Sequence, residues 1–260
     1  MNPNRILRRI GLAMITVIAL AGIFAPWLTP YDPNVSSYDV LFGPSPEHWF
    51  GTDELGRDAF TRVLYGARIS LAIGPGVAVI VMLVGVPIGL IAGFVHGRAD
   101  TFFVQVIDVF ISIPSFIVAL MVMATVGASL VNLVLVLGFV MWPEVARLVR
   151  GQVKSVREKV YIEAAVAIGC SPARLLARHI WPNIMQTVFA QLSIVVSLAI
   201  FTAASLGFIG LGLPPPAPDW GSMVQSGFDY LVLNPWLCIG PGIAVALTVM
   251  GFYLMGRIVD

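Results

Sequence analysis

The fold is decided first by residues 69–97, ISLAIGPGVAVIVMLVGVPIGLIAGFVHG, which contain no Asp, Glu, Lys or Arg. About 20 consecutive apolar residues are enough for a helix to cross the hydrocarbon core of a bilayer. Only helices and closed barrels satisfy their backbone hydrogen bonds in lipid. Four further stretches lack the same charged residues, namely 10–31, 109–143, 180–218 and 230–256. The sequence therefore predicts an all-α integral membrane protein.

The overall composition agrees with a membrane protein and argues against several other classes. Hydrophobic residues make up 58% of the chain and charged residues 11%, whereas soluble domains carry about a quarter charged residues. A net charge of +1 gives no reason to expect a nucleic-acid partner. No CxxC pair or Cys/His cluster indicates a metal site, and Cys170 and Cys238 are expected on opposite sides of the membrane.

The uncharged stretches predict six membrane spans. The region 102–149 is too long for one span, and we divide it at the polar, glycine-containing piece Gly127-Ala128-Ser129. Pro87 and Pro114 are expected to kink their spans, because proline removes an intrahelical hydrogen bond. The predicted spans are 10–29, 70–94, 102–126, 130–149, 183–206 and 237–256.

Basic residues orient these spans, since short loops rich in Lys and Arg stay in the cytoplasm. With both termini inside, all of the 15 Lys and Arg residues lie inside except Arg57, Arg62 and Arg68. The segment 207–236 is then external. The predicted units are an amino-terminal stub with the first helix (1–29), an external loop (30–68), a five-helix core (69–256) with a cytoplasmic loop (150–182), and a cytoplasmic end (257–260).

The first span admits a second interpretation. Arg5, Arg8 and Arg9 precede an apolar run, and Ala19-Leu20-Ala21 resembles the cleavage site of a signal peptide. The apolar run continues to Leu28, which is longer than a typical cleavable core. This length favours an uncleaved anchor.

The cytoplasmic loop has the pattern of two short helices joined by a glycine turn. Residues 158–168 are rich in helix formers and offer an apolar face, and Gly169 follows them as glycines often follow a last helical turn. Ser171 and Pro172 predict the N-cap and first residue of a second helix, which runs over 173–180. Such a loop could place its basic residues against anionic lipid headgroups, or it could be a compact elbow on which a partner docks.

A resemblance to a known family rests on Glu163-Ala164-Ala165, Gly169 and Pro182, whose spacing is that of the EAA loop of ABC-importer permeases. The family usually ends this loop with I-x-L-P. Here His179-Ile180-Trp181-Pro182 differs at both apolar positions, although a large apolar residue remains at position 181. The form Arg178-His179-Ile180-x-Pro182-Asn183 resembles the peptide and nickel permease branch.

Other blocks of the chain resemble the second, C-type permease subunit of dipeptide, oligopeptide and nickel importers. They are Phe50 to Asp58 with Gly66 to Leu71, Gly207 to Gly212 with Pro214-Pro215 and Trp220-Gly221, and Pro235-Trp236 with Pro241-Gly242. The carboxyl end departs from the family, with Gly256-Arg257 where Gly-Asp is usual. The resemblance implies a type I ABC importer permease fold in the bacterial inner membrane.

The resemblance also implies partners. The chain contains no Gly-x-x-x-x-Gly-Lys-Ser/Thr phosphate loop, so we expect a non-catalytic subunit without a bound cofactor, with ATP and Mg on two cytoplasmic ATPase subunits. A second homologous permease, an extracytoplasmic substrate-binding protein and membrane lipid complete the expected set. The coupling helix that would engage the ATPases comprises Glu163, Ala164, Ala165, Gly169, Ser171 and Pro172.

Two further groups of residues have weaker indications. The block 52–58 has the local pattern of a helix start with Thr52 as N-cap, and it could be structural or could contact a partner. Small residues spaced by four let membrane helices pack closely. The candidates for external docking or gating are Asp53, Arg57, Asp58, Pro215 and Trp220. The candidates for close helix packing are Gly85, Gly89 and Gly93.

Competing functions find less support. Asp108 and Glu144 lie nearest to the interior of a span, but both are close to a predicted cytoplasmic boundary and are expected to be solvated or salt-bridged rather than to relay protons. An ion-coupled secondary transporter would show intramembrane coupling residues and inverted repeats. A membrane enzyme would need a nucleophile with its base, or a metal cluster. Short peptides are the default substrate implied by the resemblance, and nickel chelates, opines and glutathione-like solutes are the alternatives.

Overall fold

The computed structural model describes residues 3–257, and within them the only strand-like feature is an isolated antiparallel bridge between Thr52 and Asp58. Two π-helical turns, Leu175–Ile180 and Gly207–Leu211, flank α9. The helices are α1 (Pro3–Ile23), α2 (Ala25–Leu28), α3 (Ala59–Phe94), α4 (Arg98–Ser112), α5 (Ser115–Val126), α6 (Leu130–Arg157), α7 (Val160–Ala167), α8 (Pro172–Arg174), α9 (Trp181–Leu206), α10 (Trp220–Asp229) and α11 (Trp236–Met255).

Six membrane spans follow from these helices when the bent pair of α4 and α5 is counted as one span. Five helical stretches are long and apolar enough singly, and α4 and α5 qualify together although they meet at 73°. Pro114 lies at this bend. The helix breaks there because proline lacks the N–H that a continuing helix needs. Pro87 instead lies inside the unbroken α3. The prediction of an all-α protein with six spans is confirmed.

The boundary between the third and fourth spans lies where the sequence indicated. α5 ends at Val126 and α6 begins at Leu130. Ser129 caps α6, since its hydroxyl accepts the backbone N–H of Asn132 at 3.1 Å. The Asn132 side chain in turn donates to the carbonyl of Gly127 at 3.0 Å, which closes the connection.

α3 begins farther toward the amino terminus than the predicted span 70–94. The prediction that Thr52 caps a helix is wrong. Asp58 caps α3, with its Oδ2 accepting the N–H of Thr61 at 2.7 Å. Thr52 belongs to a folded loop: its N–H donates to the Phe42 carbonyl at 3.0 Å, and its hydroxyl accepts the Phe42 N–H at 2.9 Å. These pairings lie ten residues apart in sequence, so the local pattern did not indicate them.

α3 and α6 form the central pair of the bundle, and the glycine stripe lies between them. A Cβ added at Gly89 would lie 2.6 Å from the carbonyl oxygen of Ala146, and one added at Gly93 would lie 2.6 Å from the Cβ of Val153. Gly85 meets the α6 backbone in the same way. The three glycines therefore let two helix backbones approach in near contact, as small residues do in membrane helices.

α1 packs antiparallel on α11. A Cβ at Gly11 would lie 2.6 Å from the Gly251 carbonyl oxygen, and one at Gly256 would lie 2.7 Å from the Ala190 carbonyl oxygen of α9. The start of α1 and the end of α11 thus share one end of the bundle, as an even number of spans requires. We call this the inner end; it also carries the end of α6 and the start of α9.

Ion pairs fasten the start of α4 to the end of α6 at the inner end. Asp100 accepts from Arg150 Nε at 2.8 Å and from Lys154 Nζ at 2.5 Å. Arg157 donates from Nη1 to the carbonyl of Phe94 at 2.8 Å, where a helix terminus leaves carbonyls unpaired and favours a cation. The turn between α3 and α4 is therefore held to the last turns of α6.

The acidic residues nearest to a span lie in exposed positions. Asp108 forms an ion pair with Arg147, and about half of each side chain is exposed. Glu144 is exposed on α6. The ion pair of Asp108 agrees with the expectation of a salt-bridged role, and the role expected for Glu144 stays a prediction.

Candidate functional site

The segment between α6 and α9 forms a bent structure outside the spans, and we define this elbow as residues 158–174. α7 ends in a glycine turn, because Gly169 adopts φ +83°. Its N–H donates to the Val166 carbonyl at 2.9 Å, and the N–H of Cys170 donates to the Ala165 carbonyl at 3.0 Å. This pair of bonds is the Schellman arrangement, which closes a helix end without unpaired carbonyls. The predicted glycine break is confirmed.

Two apolar side chains attach the elbow to the body of the protein. Ile162 is 1% exposed and Ala165 is 7% exposed, and both pack in the main hydrophobic core with Val156 and Leu175. Burying an isoleucine side chain such as that of Ile162 stabilises a packed state by about 1.5–3 kcal/mol. The elbow is therefore fixed to α6 and to the π-helical turn rather than hanging free.

The opposite face of α7 is apolar and uncovered. Val160 is 80% exposed, Val166 is 56% exposed, and Ile168 at the helix end is 87% exposed. Glu163 lies exposed among them, and none of the ion pairs found among residues 3–257 includes it. An exposed apolar surface with a single carboxylate is typical of a contact site for another protein.

The second half of the elbow differs from the prediction in two respects. Ser171 takes an extended conformation before Pro172, which is the first residue of α8, but the Ser171 side chain makes no capping bond. The helix does not end near residue 180 as predicted; it continues through the π-helical turn into α9. A widened turn relieves the clash that the ring of Pro182 would make with the carbonyl of residue 178 in a regular α-helix.

The predicted coupling residues therefore fall into two groups. Ala165 is buried and serves as an anchor. The exposed members are Glu163, Ala164, Gly169, Ser171 and Pro172.

The block of residues 52–62 contains a buried ion network at the end of the bundle opposite the inner end, and we call this end the outer end. Asp53 accepts the N–H of Arg57 through Oδ1 at 2.9 Å and the Nε of Arg57 through Oδ2 at 2.7 Å. The Nε of Arg62 lies 3.5 Å from the same Oδ2. Arg62 also donates to the carbonyls of Pro33 at 2.7 Å and Pro216 at 3.3 Å. Buried charges need such partners to be tolerated.

Asp58 combines a cap with a second contact. Its Oδ1 lies 2.8 Å from Nδ1 of His48, and its other oxygen serves α3. The His48 ring packs on Tyr31 with a centroid separation of 4.7 Å. Asp58 thus ties the loop before α3 to the segment that follows α2.

The loop before α10 is fastened by a buried tryptophan. Trp220 is 2% exposed, and its indole N–H donates to the carbonyl of Val63 at 2.8 Å. Asp219 caps α10, with Oδ2 accepting the N–H of Ser222 at 3.0 Å and its hydroxyl at 2.7 Å. Burial raises the pKa of Asp219 above its ordinary value, and the bonds from Ser222 oppose that rise.

Burial divides the residues predicted for external docking or gating. Asp53, Arg57, Asp58 and Trp220 are buried and hold the outer end together. Pro215 is exposed. A contact role for this region stays a prediction, and it would use exposed atoms such as those of Pro215.

Asn234, which was not predicted as a functional residue, links the outer block to α11. Asn234 is fully buried, and its side-chain amide donates to the carbonyls of Phe50 at 3.0 Å and Phe42 at 3.3 Å. Its Oδ1 accepts the N–H of Trp236 at 3.2 Å. A polar residue inside an otherwise uncharged apolar stretch was the one available signal.

Two family models match this chain. The family described as "Binding-protein-dependent transport system inner membrane component" matches residues 85–260. The family described as "N-terminal TM domain of oligopeptide transport permease C" matches residues 7–44, which agrees with interpreting the first span as an anchor.

Curated proteins resemble the chain over nearly its whole length. It is 41% identical to a probable D,D-dipeptide transport system permease of Escherichia coli K12, across 94% of this chain and 82% of that protein. It is 40% identical to a glutathione transport system permease of Pectobacterium atrosepticum, across 95% and 82% respectively. It is 37% identical to an oligopeptide transport system permease of Bacillus subtilis, across 96% and 82%.

A solved structure shares the fold. An inward-facing form of the MetNI methionine ABC transporter aligns with a TM-score of 0.61 and 18% identity, covering 75% of this chain and 93% of that chain. At this identity the likeness supports the fold alone, and the predicted type I ABC importer permease fold is confirmed.

Proposed function

The chain belongs to the family of inner membrane components of binding-protein-dependent transport systems, and we propose that its elbow couples ATPase subunits to the passage of small peptides. The chain is a multi-pass membrane permease. In the proposed assembly it pairs with a second permease and lies in the bacterial inner membrane with both termini in the cytoplasm. ATP and Mg bind to the ATPase subunits, and this chain supplies no catalytic residue.

The observation that carries the coupling proposal is the uncovered apolar face of α7. Val160, Val166 and Ile168 are more than half exposed on a helix that lies outside the spans. An amphipathic helix that lays its apolar residues in a groove is a common mode of recognition between proteins. The small side chain of Ala164 allows close approach, and Glu163 offers a carboxylate to a basic or amide group of the partner.

The interior of the chain offers a route from the elbow to the spans. Ile162 and Ala165 anchor the elbow in the core beside α6. α6 is held to α3 by the glycine stripe and to the turn before α4 by Arg157. A displacement of the elbow would therefore carry α6 and α3 together as one body, which is the kind of rigid movement that alternating access requires.

The substrate proposal rests on the relatives. Their names specify D,D-dipeptide, oligopeptide and glutathione transport. Di- or oligopeptides delivered by an extracytoplasmic binding protein at the outer end are therefore the proposed cargo.

The coupling proposal is tested by substitutions on the elbow in the co-expressed transporter. Ile168→Asp should reduce co-purification of the ATPase subunits by about tenfold or more, because a buried isoleucine contributes about 1.5–3 kcal/mol to a contact. Glu163→Lys and Gly169→Pro should reduce uptake of a labelled dipeptide and the ATPase activity that accompanies it; proline cannot adopt the positive φ of Gly169.

A matched control separates coupling from general damage. Val232 is 98% exposed near the start of α11 at the outer end, and Val232→Asp should leave ATPase co-purification unchanged. Wild-type uptake in both Ile168→Asp and Glu163→Lys would sink the coupling proposal. If the wild-type transporter shows normal coupling but unlabelled dipeptides do not compete for uptake, the substrate proposal alone would be overturned.

A further inference from the structure

A groove opens at the inner end between α1, α9 and α11, and we call it the inner groove. Its mouth carries Arg8 of α1 and Arg257, which follows α11. Its walls are apolar, with Phe189 and Val196 from α9 and Phe252 from α11. The cavity volume is about 420 Å³, which lies in the range of sites that hold an organic ligand.

Backbone packing fixes the two arginines beside each other. Gly11 packs against the backbone of Gly251, so Arg8, which lies one turn earlier on α1, is placed at the end of α11. Gly256 packs against the Ala190 carbonyl, which places Arg257 beside α9. Helix contacts therefore place both arginines at the mouth of the groove.

Among residues 3–257, the charges at the mouth have one sign. Within that part of the chain Arg8 and Arg257 are both exposed, no acidic residue lines the groove, and neither arginine forms an ion pair. Guanidinium groups are well suited to phosphate, because they donate two parallel hydrogen bonds. The mouth therefore favours an anionic group, and the walls below it favour a hydrocarbon chain.

The depth of the groove matches one leaflet of a bilayer. The α9 residues that line it extend from Gln186 to Val196, which corresponds to about 15 Å at 1.5 Å per residue. Half of the hydrocarbon core is also about 15 Å thick. A ligand with its charge at the arginines and its chain along α9 would thus have the dimensions of a phospholipid.

We propose that the inner groove binds an anionic phospholipid, with the headgroup phosphate between Arg8 and Arg257 and one acyl chain against Phe189, Val196 and Phe252. The lipid fills the inner groove between α1 and α9 and links the first span to the core through α11. Basic pockets between membrane helices on the cytoplasmic side bind anionic headgroups for the same electrostatic reason.

Native mass spectrometry of the full-length chain tests this proposal. The protein is purified in a mild detergent and titrated with phosphatidylglycerol, with phosphatidylcholine, and with inorganic phosphate. Wild type should retain phosphatidylglycerol in preference to phosphatidylcholine. The double variant Arg8→Gln, Arg257→Gln should bind phosphatidylglycerol about 25-fold more weakly, from about fivefold for each arginine.

Two further variants keep the test decisive. Arg9→Gln removes the same charge from the same helix at a position that does not line the groove, and it should retain the lipid. Ser193→Phe fills the apolar wall without changing the charge, and it should weaken retention even if the double variant fails to fold.

Four outcomes would overturn the proposal. The first is equal retention of phosphatidylglycerol by wild type and the double variant, and the second is equal retention of the two lipids by wild type. The third is displacement of phosphatidylglycerol by millimolar inorganic phosphate, which would indicate a site for a free anion. The fourth is loss of the lipid when the partner permease co-purifies, which would indicate that a protein covers the groove.

Discussion

Gly89→Leu should separate the two central helices of the bundle. Gly89 lies where α3 crosses α6, and an added Cβ would sit 2.6 Å from the Ala146 carbonyl oxygen and 2.7 Å from the Cβ of Val149. Ordinary contact begins at 3.4 Å, so the Cβ alone requires a shift of 0.8 Å, the difference between 3.4 Å and 2.6 Å. One of the two opposing atoms belongs to the backbone and cannot rotate away.

The cost follows from that shift. Overpacking a tight contact costs about 1–3 kcal/mol and sometimes more, and a gap of 0.5–1 Å removes about a quarter to a half of the dispersion energy of the neighbouring atoms. Leucine regains roughly 0.8 kcal/mol through its better helix propensity. The net loss for Gly89→Leu should be up to about 2 kcal/mol, and Gly89→Ala should fall between wild type and Gly89→Leu.

Thermal unfolding in detergent measures this loss, with a thiol-reactive fluorophore reporting on the free Cys170 and Cys238. A loss of about 2 kcal/mol should lower the midpoint by about 4–8 °C. Gly151 of α6 is the matched control, because nothing lies within 4 Å of its added Cβ, and Gly151→Leu should leave the midpoint unchanged or raise it. A Gly89→Leu protein as stable as wild type, or an equal loss in Gly151→Leu, would refute the close-packing argument.

Substitutions at four other residues have expected outcomes in the same assay. Asp219→Ala should cost about 1–2 kcal/mol through loss of the cap that Ser222 donates to. Asp219→Asn should cost less, and it should also remove a pH dependence of the stability. Burial raises the pKa of Asp219 in the folded state, so the wild-type carboxyl stabilises the fold increasingly as pH falls through that raised pKa. Trp220→Phe should cost about 1 kcal/mol, the contribution of one buried hydrogen bond to a backbone carbonyl. Asp100→Asn should cost about 1–2 kcal/mol, because the ion pair of Asp100 with Arg150 is mostly buried. Asp108→Asn should cost less than about 1 kcal/mol, because its ion pair with Arg147 is half exposed. Equal losses would contradict this ranking.

The elbow shows how much of a site can be predicted from local sequence. The break at Gly169 and the restart at Ser171 and Pro172 follow from the conformations that glycine and proline adopt, which depend on a few neighbouring residues. The continuation of the second helix through Pro182 was not predicted. Whether a helix ends or widens at a proline depends on what packs around it, and here Ile180 and Ile184 are fully buried in the core on either side.

The outer end shows the opposite case. The local pattern at Thr52 suggested a cap, but Thr52 pairs with Phe42 and leaves the capping to Asp58. Side chains that can cap a helix can equally well bond to a loop. The choice between the two depended on contacts with a segment that the local pattern does not include.

The number of spans and the helical class are determined by the sequence, because lipid excludes unpaired backbone groups and so makes hydropathy alone sufficient. The fastening of the outer end was decided in three dimensions. Asn234 reaches Phe42 across 192 residues, and Arg62 reaches Pro216 across 154. Hydropathy acts along a single span and capping rules act over about one helical turn, whereas such bonds exist only after the spans have packed, so their partners have no signature in the neighbouring sequence.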